Sequence, residues 1–323
     1  MLTAHLVRDD GTRAVLESLE ALVDAWDPAR ARVWVDLEGP DAAALERLGE
    51  VFGLDAESLE DCRRGEQRPR VDEQDDYVFI VVYGMMGAAQ EGEYSPRKLA
   101  IYCGARFLIT VHRERPLTIV QAHTRAARNK LKSLGRGVDQ LLFTLIDKMV
   151  DKYLTVVQSY EDKLEEFEKL AATITESPGW LEDATDLRRQ LLELRRIANS
   201  TREVVVELSG DCELITEEVR RRFAHVVDHL RQVVDNIDGL RELLNSVRDN
   251  YRALVANRTN EIMMMLTLVA TVLLPISVIA GIYGMNVPLW PASDSPMSFW
   301  LVIGAMGAVA ASMILYFRAR RWI

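Results

Sequence analysis

The carboxamide of Asn286 lies towards the end of the longest uncharged stretch of the chain, in the segment AGIYGMN. A carboxamide oxygen accepts hydrogen bonds, including those from the water around a cation, and it adds no charge. Gly281 and Gly284 precede it, and glycine allows a helix to end and its backbone carbonyls to turn. Asn286 is thus a neutral polar group directly after a hydrophobic segment, and its role has to be inferred from the rest of the sequence.

Two histidines form a second candidate site. His225 and His229 are four residues apart in HVVDH and share one face of a predicted helix. This spacing can bind zinc. It is not the motif of a zinc protease, because Val226 stands where that motif has its glutamate. We favour a solvated pair or a contact between helices over a zinc site.

The composition of the chain excludes several classes of protein. The 323 residues include 39 basic and 49 acidic ones, a net charge of −10. Nucleic-acid-binding proteins present a basic face, so we expect no nucleic-acid partner, whereas an acidic body concentrates cations. We find no P-loop, dinucleotide fingerprint or serine–histidine–aspartate arrangement, and we expect no enzymatic activity. The three cysteines have no metal-finger spacing and are interpreted as reduced cytosolic thiols.

Two uncharged segments lie near the C-terminus, at residues 262–282 and 297–317. Each has about the 20 residues that a helix needs to cross a hydrocarbon core of roughly 30 Å. We therefore predict contact with a lipid bilayer and the following boundaries. The first transmembrane helix with its GMN end covers 262–286, the external loop 287–296, the second helix 297–317 and a basic tail 318–323.

The basic residues at the membrane flanks predict the orientation. Arg318, Arg320 and Arg321 follow the second span, and the loop between the spans has neither lysine nor arginine. The positive-inside rule then places both termini in the cytosol. The N-terminus shows no signal peptide. We expect a multi-pass protein of the plasma membrane, which is the inner membrane in a bacterium.

The part before the spans divides by its periodicity. Residues 1–115 alternate short strands and helices, which predicts an α/β domain with a mixed sheet. Residues 116–261 are helical, and the helix that begins near Thr216 has no proline before Pro275. If that helix continues to Ile282, it is close to 100 Å long. We predict strands at 32–39, 77–86, 97–104 and 106–113. We also predict a helix at 41–53 that is capped by Asp41.

The tetrapeptide YGMN, placed directly after the first of two C-terminal spans, resembles the signature of the CorA family of divalent-cation channels. The segments 257–286 and 68–83 and the basic end FRARRWI are also similar to that family. The resemblance implies a homopentameric funnel in which the first spans line a pore and the cytosolic parts sense divalent ions. It also implies that Mg²⁺ is both transported and regulatory.

The resemblance assigns residues to the ion path. Gly284, Met285 and Asn286 would form the selectivity filter, with Asn286 binding Mg²⁺ through its hydration shell, since Mg²⁺ dehydrates reluctantly. An aspartate ring would hold the ion more firmly than a ring of carboxamides. The implied pore-lining and gate positions are Asn260, Met263, Leu266, Leu274 and Ser277, with Asp249 as an acidic ring at the inner mouth.

The sequence leaves more than one function open. The leading hypothesis is a channel that conducts hydrated Mg²⁺, and also Co²⁺ or Ni²⁺, into the cytosol down the membrane potential and closes on cytosolic Mg²⁺. Family members selective for Mg²⁺ commonly have MPEL in the loop, and here it reads VPLWPASDSP. A Zn²⁺ transporter of the same superfamily, with proton coupling, is therefore an alternative. A membrane-tethered sensor or scaffold without a pore is the second alternative.

Overall fold

A computed structural model describes residues 1–65, 67–87, 94–128, 132–172, 179–210, 212–285, 296–320 and 322. The chain forms two compact units, Met1–Arg248 and Asp249–Ile323. The elements confirm the predicted class, an α/β N-terminal part followed by a long helix and two C-terminal apolar helical segments. The finer boundaries predicted at residues 115 and 261 stay predictions.

A seven-stranded sheet organises the first unit. The strands are β1 (Leu2–Arg8), β2 (Arg13–Leu16), β3 (Ala31–Glu38), β4 (Arg70–Glu73), β5 (Tyr77–Met86), β6 (Ser95–Gly104) and β7 (Phe107–His112). Their spatial order is β2-β1-β3-β7-β6-β5-β4, and only β3 and β7 run parallel. The sheet is thus mixed, as predicted. Strands β1, β2 and β4 were not recognised in the sequence.

Short helices accompany the strands; the first three lie between strands in the chain, and the other two follow β7. They are α1 (Leu19–Ala25), α2 (Ala42–Phe52), α3 (Ala56–Arg63), α4 (Leu117–Ala127) and α5 (Lys132–Arg136). Asp41 caps α2 as predicted, because its Oδ1 accepts the N–H of Ala44 at 2.7 Å. Gly53 ends this helix at φ 67°, a left-handed conformation that glycine adopts without steric cost.

One hydrophobic core lies between the sheet and the first three helices. Val33, Val35 and Ile109 of the sheet are fully buried there against Leu45 and Leu48 of α2. Burial of such side chains stabilises the unit by about 1.5–3 kcal/mol each. The three cysteines, Cys62, Cys103 and Cys212, are buried free thiols, as expected.

Three long helices complete the first unit. They are α6 (Val138–Ala172), α7 (Trp180–Leu208) and the first part of α8 (Glu217–Tyr283). Asp139, at the start of α6, accepts hydrogen bonds from the N–H and the hydroxyl of Thr216, at 3.2 and 2.6 Å. Arg195 of α7 makes two hydrogen bonds with the carboxylate of Asp238, at 2.7 and 3.0 Å. These contacts hold the three helices in register.

Helix α8 is continuous over 67 residues. Its buried positions run from Val219 to Val247, at the three- and four-residue spacing of one helix face. Beyond Arg248, none of its described residues is buried. The second unit contains the rest of α8 and helix α9 (Pro296–Ala319). Both helices include a segment long and apolar enough to cross a membrane.

A buried carboxylate connects several strands of the sheet. Asp36 on β3 is fully buried, and its oxygens accept hydrogen bonds from Thr110 at 2.6 Å, His112 at 3.0 Å and His123 at 2.7 Å. Burial alone would raise the pKa of Asp36, but the hydrogen bonds from His112 and His123 hold this pKa well below its ordinary value. Asp36 is therefore charged in the folded protein.

His5 extends this network from β1. Its Nε2 lies 3.1 Å from Nδ1 of His123, and its ring stacks on Trp34 at a centroid distance of 5.1 Å. Burial lowers the pKa of His5 to about 4, and the nearby His123 acts in the same direction. His5 is therefore neutral at pH 7.

We expect acid to destabilise the first unit partly through His5. Below its ordinary pKa of about 6.5, the unfolded chain binds a proton that the folded chain does not, so stability falls as the pH decreases towards about 4. In His5→Gln, which keeps an N–H donor for His123, the thermal midpoint of the full-length protein in detergent should fall less between pH 7 and pH 5. The exposed His225→Gln serves as the control. An unchanged pH dependence in His5→Gln would contradict this assignment.

Candidate functional site

The residues expected to line an ion path share one sector of the first span. Met263 and Leu274 are eleven residues apart, and so are Leu266 and Ser277, a spacing of about three helical turns. Asp249 and Asn260, at the start of the second unit, have the same spacing. All six side chains are exposed in the single chain; Met263 is 61%, Leu266 70% and Leu274 68% accessible. Each of them is free to face a neighbouring copy or a lumen.

Helix α8 ends close to the predicted filter. The N–H of Gly284 still donates to the carbonyl of Ala280, at 2.9 Å, so the helical bonding continues to this residue. Neither Gly281 nor Gly284 adopts the left-handed conformation in which glycine commonly ends a helix. Met285 is exposed. Asn286 and the predicted loop as far as Ser295 lie outside the described residues.

The polar groups within the first span turn back onto their own helix. The hydroxyl of Thr267 donates to the carbonyl of Met263 at 2.8 Å, and the hydroxyl of Thr271 donates to the carbonyl of Thr267 at 2.7 Å. These protons are used inside the helix, and the hydroxyl oxygens remain as acceptors. Pro275 lies within the helix and has no N–H for the carbonyl of Thr271.

At the N-terminal end of this segment, acidic side chains lie close to basic ones. The carboxylate of Asp249 is 3.7 Å from Arg252, and that of Glu261 is 3.0 Å from Arg258. Both pairs are exposed, so water screens them and each contributes about 0–1 kcal/mol. Asp249 is therefore available to interact with a cation at low energetic cost.

The structure brings one of the two predicted histidines into a cluster of metal-binding type. A ring nitrogen of His229 on α8 and carboxylate oxygens of Asp147 and Asp151 on α6 lie within 4.8 Å of one another. His225 does not join a potential metal cluster in the part of the chain that the structure describes. Lys148 lies between the carboxylates, 2.6 Å from Asp151 and 3.4 Å from Asp147.

The two aspartates were not predicted from the sequence. Asp147 and Asp151 are four residues apart and so share a helix face, which was a usable signal. Their partner, however, lies more than seventy residues later in the chain, and only the packing of α6 on α8 brings it close. The hydrogen bond to Asp151 raises the pKa of Lys148, so this ammonium is charged and a bound cation would have to displace it.

Comparison with known proteins places this geometry in a family. A family model described as "CorA-like Mg2+ transporter protein" matches residues 30–321. The Bacillus subtilis protein YfjQ is 31% identical over 91% of each chain. The cobalt/magnesium transport protein CorA of Thermotoga maritima is 29% identical, over 90% of this chain and 83% of that protein.

Solved structures agree over the whole length. The CorA magnesium transporter of Methanocaldococcus jannaschii superimposes with a TM-score of 0.87 and 25% identity, and the match covers 100% of this chain and 99% of that one. Full-length CmaX shares the fold, with a TM-score of 0.79 at 19% identity. These proteins are transporters and not enzymes, as the sequence predicted for this chain. The chain belongs to the family of CorA-like Mg²⁺ transporter proteins.

Proposed function

We propose that the protein is a homopentameric channel that conducts hydrated Mg²⁺ into the cytosol down the membrane potential, with Co²⁺ and Ni²⁺ as further substrates. One observation carries the proposal. The first span exposes a sector of apolar and small polar side chains, Asn260 to Ser277, in a chain whose family and structural relatives are named as Mg²⁺ and cobalt/magnesium transporters. Two spans cannot enclose a water-filled path, so several copies must surround it.

The filter of this channel is a ring of Asn286 carboxamides at the outer end of the first span, beside Gly284 and Met285. Its oxygens accept hydrogen bonds from the first-shell waters, so the ion passes without losing them. A neutral ring binds weakly enough to release the ion. The orientation that supports inward flux has both termini in the cytosol of a bacterial cell and the loop outside the inner membrane.

The gate lies deeper in the same span. Rings of Met263, Leu266 and Leu274 are apolar constrictions that close by excluding water. Asn260 and Asp249 stand at the cytosolic side, where an exposed carboxylate attracts the cation that leaves the pore.

Cytosolic divalent ions close the channel through the cluster of Asp147, Asp151 and His229. The ligand set contains one nitrogen and two carboxylate groups. Such a set favours Co²⁺, Ni²⁺ or Zn²⁺ over Mg²⁺, which prefers oxygen ligands alone. An ion there would link α6 to α8, the helix that continues into the pore, and so couple binding to gating.

The same cluster is the observation that favours a second candidate function, Zn²⁺ transport coupled to protons. Histidine nitrogen is a preferred zinc ligand. Flux measured into liposomes with purified protein distinguishes the two. Mg²⁺ entry driven by potential supports the channel, Zn²⁺ entry that requires a pH gradient supports the alternative, and no flux of either ion supports a sensor or scaffold without a pore.

Replacing the filter residue should abolish selective entry. In Asn286→Ala, we expect Mg²⁺ flux into liposomes to fall at least tenfold, because the ring then has no acceptor for the hydration waters. Asn257→Ala, which changes an exposed asparagine of the same helix before the span, is the control and should leave flux unchanged. Equal flux in Asn286→Ala and the parent protein would argue against the filter.

Making the constriction polar should open the channel. Leu274→Ser is expected to raise Mg²⁺ flux several-fold when Mg²⁺ is also present on the cytosolic side, because a hydroxyl ring is wetted more easily than a leucine ring. Leu273→Ser is the matched control, since the neighbouring residue lies about 100° around the helix. A similar increase in both variants would mean that the substitution loosens the helix and does not act at a gate.

Removing the nitrogen ligand should weaken inhibition by transition metals. In His229→Ala, the cytosolic Co²⁺ concentration that halves Mg²⁺ flux should rise about tenfold, equivalent to about 1.4 kcal/mol. Inhibition by Mg²⁺ should change less. Asp235→Asn, an exposed substitution on the same helix, is the control. If the half-inhibiting Co²⁺ concentration is the same in His229→Ala and the parent, the cluster is not the sensor.

A further inference from the structure

A basic cavity lies at one end of the sheet in the first unit. Its volume is about 230 Å³, and its lining comes from the residues after α3, from β6, and from the end of β7 with the residues that follow it. The charged and titratable lining residues are Arg64, Arg97, Lys98, His112, Arg113 and Glu114. Among the described residues, four cations and one carboxylate line the cavity, in a chain whose net charge is −10. The described lining of the cavity is therefore positively charged, whereas the chain as a whole is negatively charged.

Two of the cations have no carboxylate partner. Arg97 is paired with Glu114 at 2.8 Å. Lys98 instead donates to the backbone carbonyls of Asp61 and Arg64, at 2.6 and 2.7 Å, and forms no ion pair in the described chain. Arg113 likewise donates to a backbone carbonyl, that of Arg63, at 2.7 Å. Arg64 lies 3.6 Å from the carboxylate of Asp61, so Lys98 and Arg113 are the two lining cations that no carboxylate of the described chain neutralises.

Capping of α3 explains only part of this arrangement. The carbonyls that Lys98 and Arg113 bind lie in the last turn of α3 and just after it, where cations stabilise a helix end. An ammonium has three N–H donors and a guanidinium has five. The two carbonyls bound by Lys98 and the one bound by Arg113 leave further donors on both groups. Burial lowers the pKa of Lys98, so a nearby anion would stabilise its charged form.

His112 contributes an unpartnered polar atom to the cavity wall. Its side chain is fully buried, and its Nε2 hydrogen-bonds the carboxylate of Asp36 at 3.0 Å. Its Nδ1 is also buried and has no hydrogen-bond partner among the residues described. A buried polar atom without a partner costs free energy, which a hydrogen-bonding ligand in the cavity would recover.

We propose that this cavity binds a phosphate group, either free inorganic phosphate or the phosphate end of a nucleotide. A guanidinium beside an ammonium matches the oxygens of a phosphate, which accept several charge-assisted hydrogen bonds at once. The volume is smaller than the roughly 300–1,000 Å³ of sites that enclose a drug-sized ligand. The phosphate therefore enters the cavity, and the rest of a nucleotide stays outside it.

Calorimetric titration of the full-length protein in detergent, at constant ionic strength in chloride buffer, tests the proposal. Inorganic phosphate and ATP, both without Mg²⁺, are the two ligands. We expect saturable binding of at least one of them. ATP that binds more than tenfold tighter than phosphate identifies a nucleotide as the source, and equal affinities identify free phosphate.

Variants show whether the cavity is the site. Arg113→Gln should weaken binding at least tenfold, and Arg125→Gln, an exposed arginine outside the cavity, should not change it. Glu114→Gln removes the one carboxylate that lines the cavity among the described residues, and it should tighten binding several-fold, a gain that a misfolded variant would not produce. Absence of binding by both ligands, or affinities that are the same in Arg113→Gln, Glu114→Gln and the parent, would overturn the proposal.

Discussion

The internal hydrogen bonding of one helix is the constraint on which the rest of the structure depends. Helix α8 is continuous over 67 residues and satisfies its own backbone except at the carbonyl of Thr271, for which Pro275 has no N–H, so it can pass from water into hydrocarbon with few unpaired backbone groups. Its side chains change at Arg248, from a stripe buried against the other helices to a surface on which no described residue of the helix is buried. The exposed part must be covered by lipid or by other copies of the chain, whereas the buried part is anchored by contacts such as Asp139 with Thr216.

Much of the fold could be predicted because some patterns depend on local sequence alone. The uncharged spans, the capped helix after Asp41 and the β-branched strand at 77–86 were all found in this way. Strands β1, β2 and β4 were missed. β2 and β4 have four residues each, and β4 reads RVDE and pairs only with β5 at the sheet edge. β1 has seven residues, LTAHLVR, in which polar Thr3 and His5 stand among apolar residues. Such strands form because a neighbour supplies hydrogen bonds, and no local pattern records that neighbour.

The candidate site was predicted less completely, for a related reason. Positions along the first span follow from helical spacing and from the resemblance, and the structure places them on one exposed sector. The partners of His229 could not be predicted, because Asp147 and Asp151 come from another helix. The convergence of His112, His123 and Thr110 on Asp36 likewise depends on which strands are adjacent. A site formed by side chains of different elements depends on how those elements pack. The spacing of residues within one element does not reveal that packing.

The proline within the first span also affects the mechanics of the second unit. Pro275 removes one backbone hydrogen bond, and its ring crowds the carbonyl of Thr271. Helix α8 therefore bends most easily near Pro275. This residue lies between the turns that begin at Asp249 and the last two turns before Gly284. Rotation of the helix about its axis at Asp249 is transmitted through the hydrogen-bonded turns as far as Thr271. The turns after Thr271 can tilt relative to those before it. The helix therefore has its most flexible point about two turns before its C-terminal end.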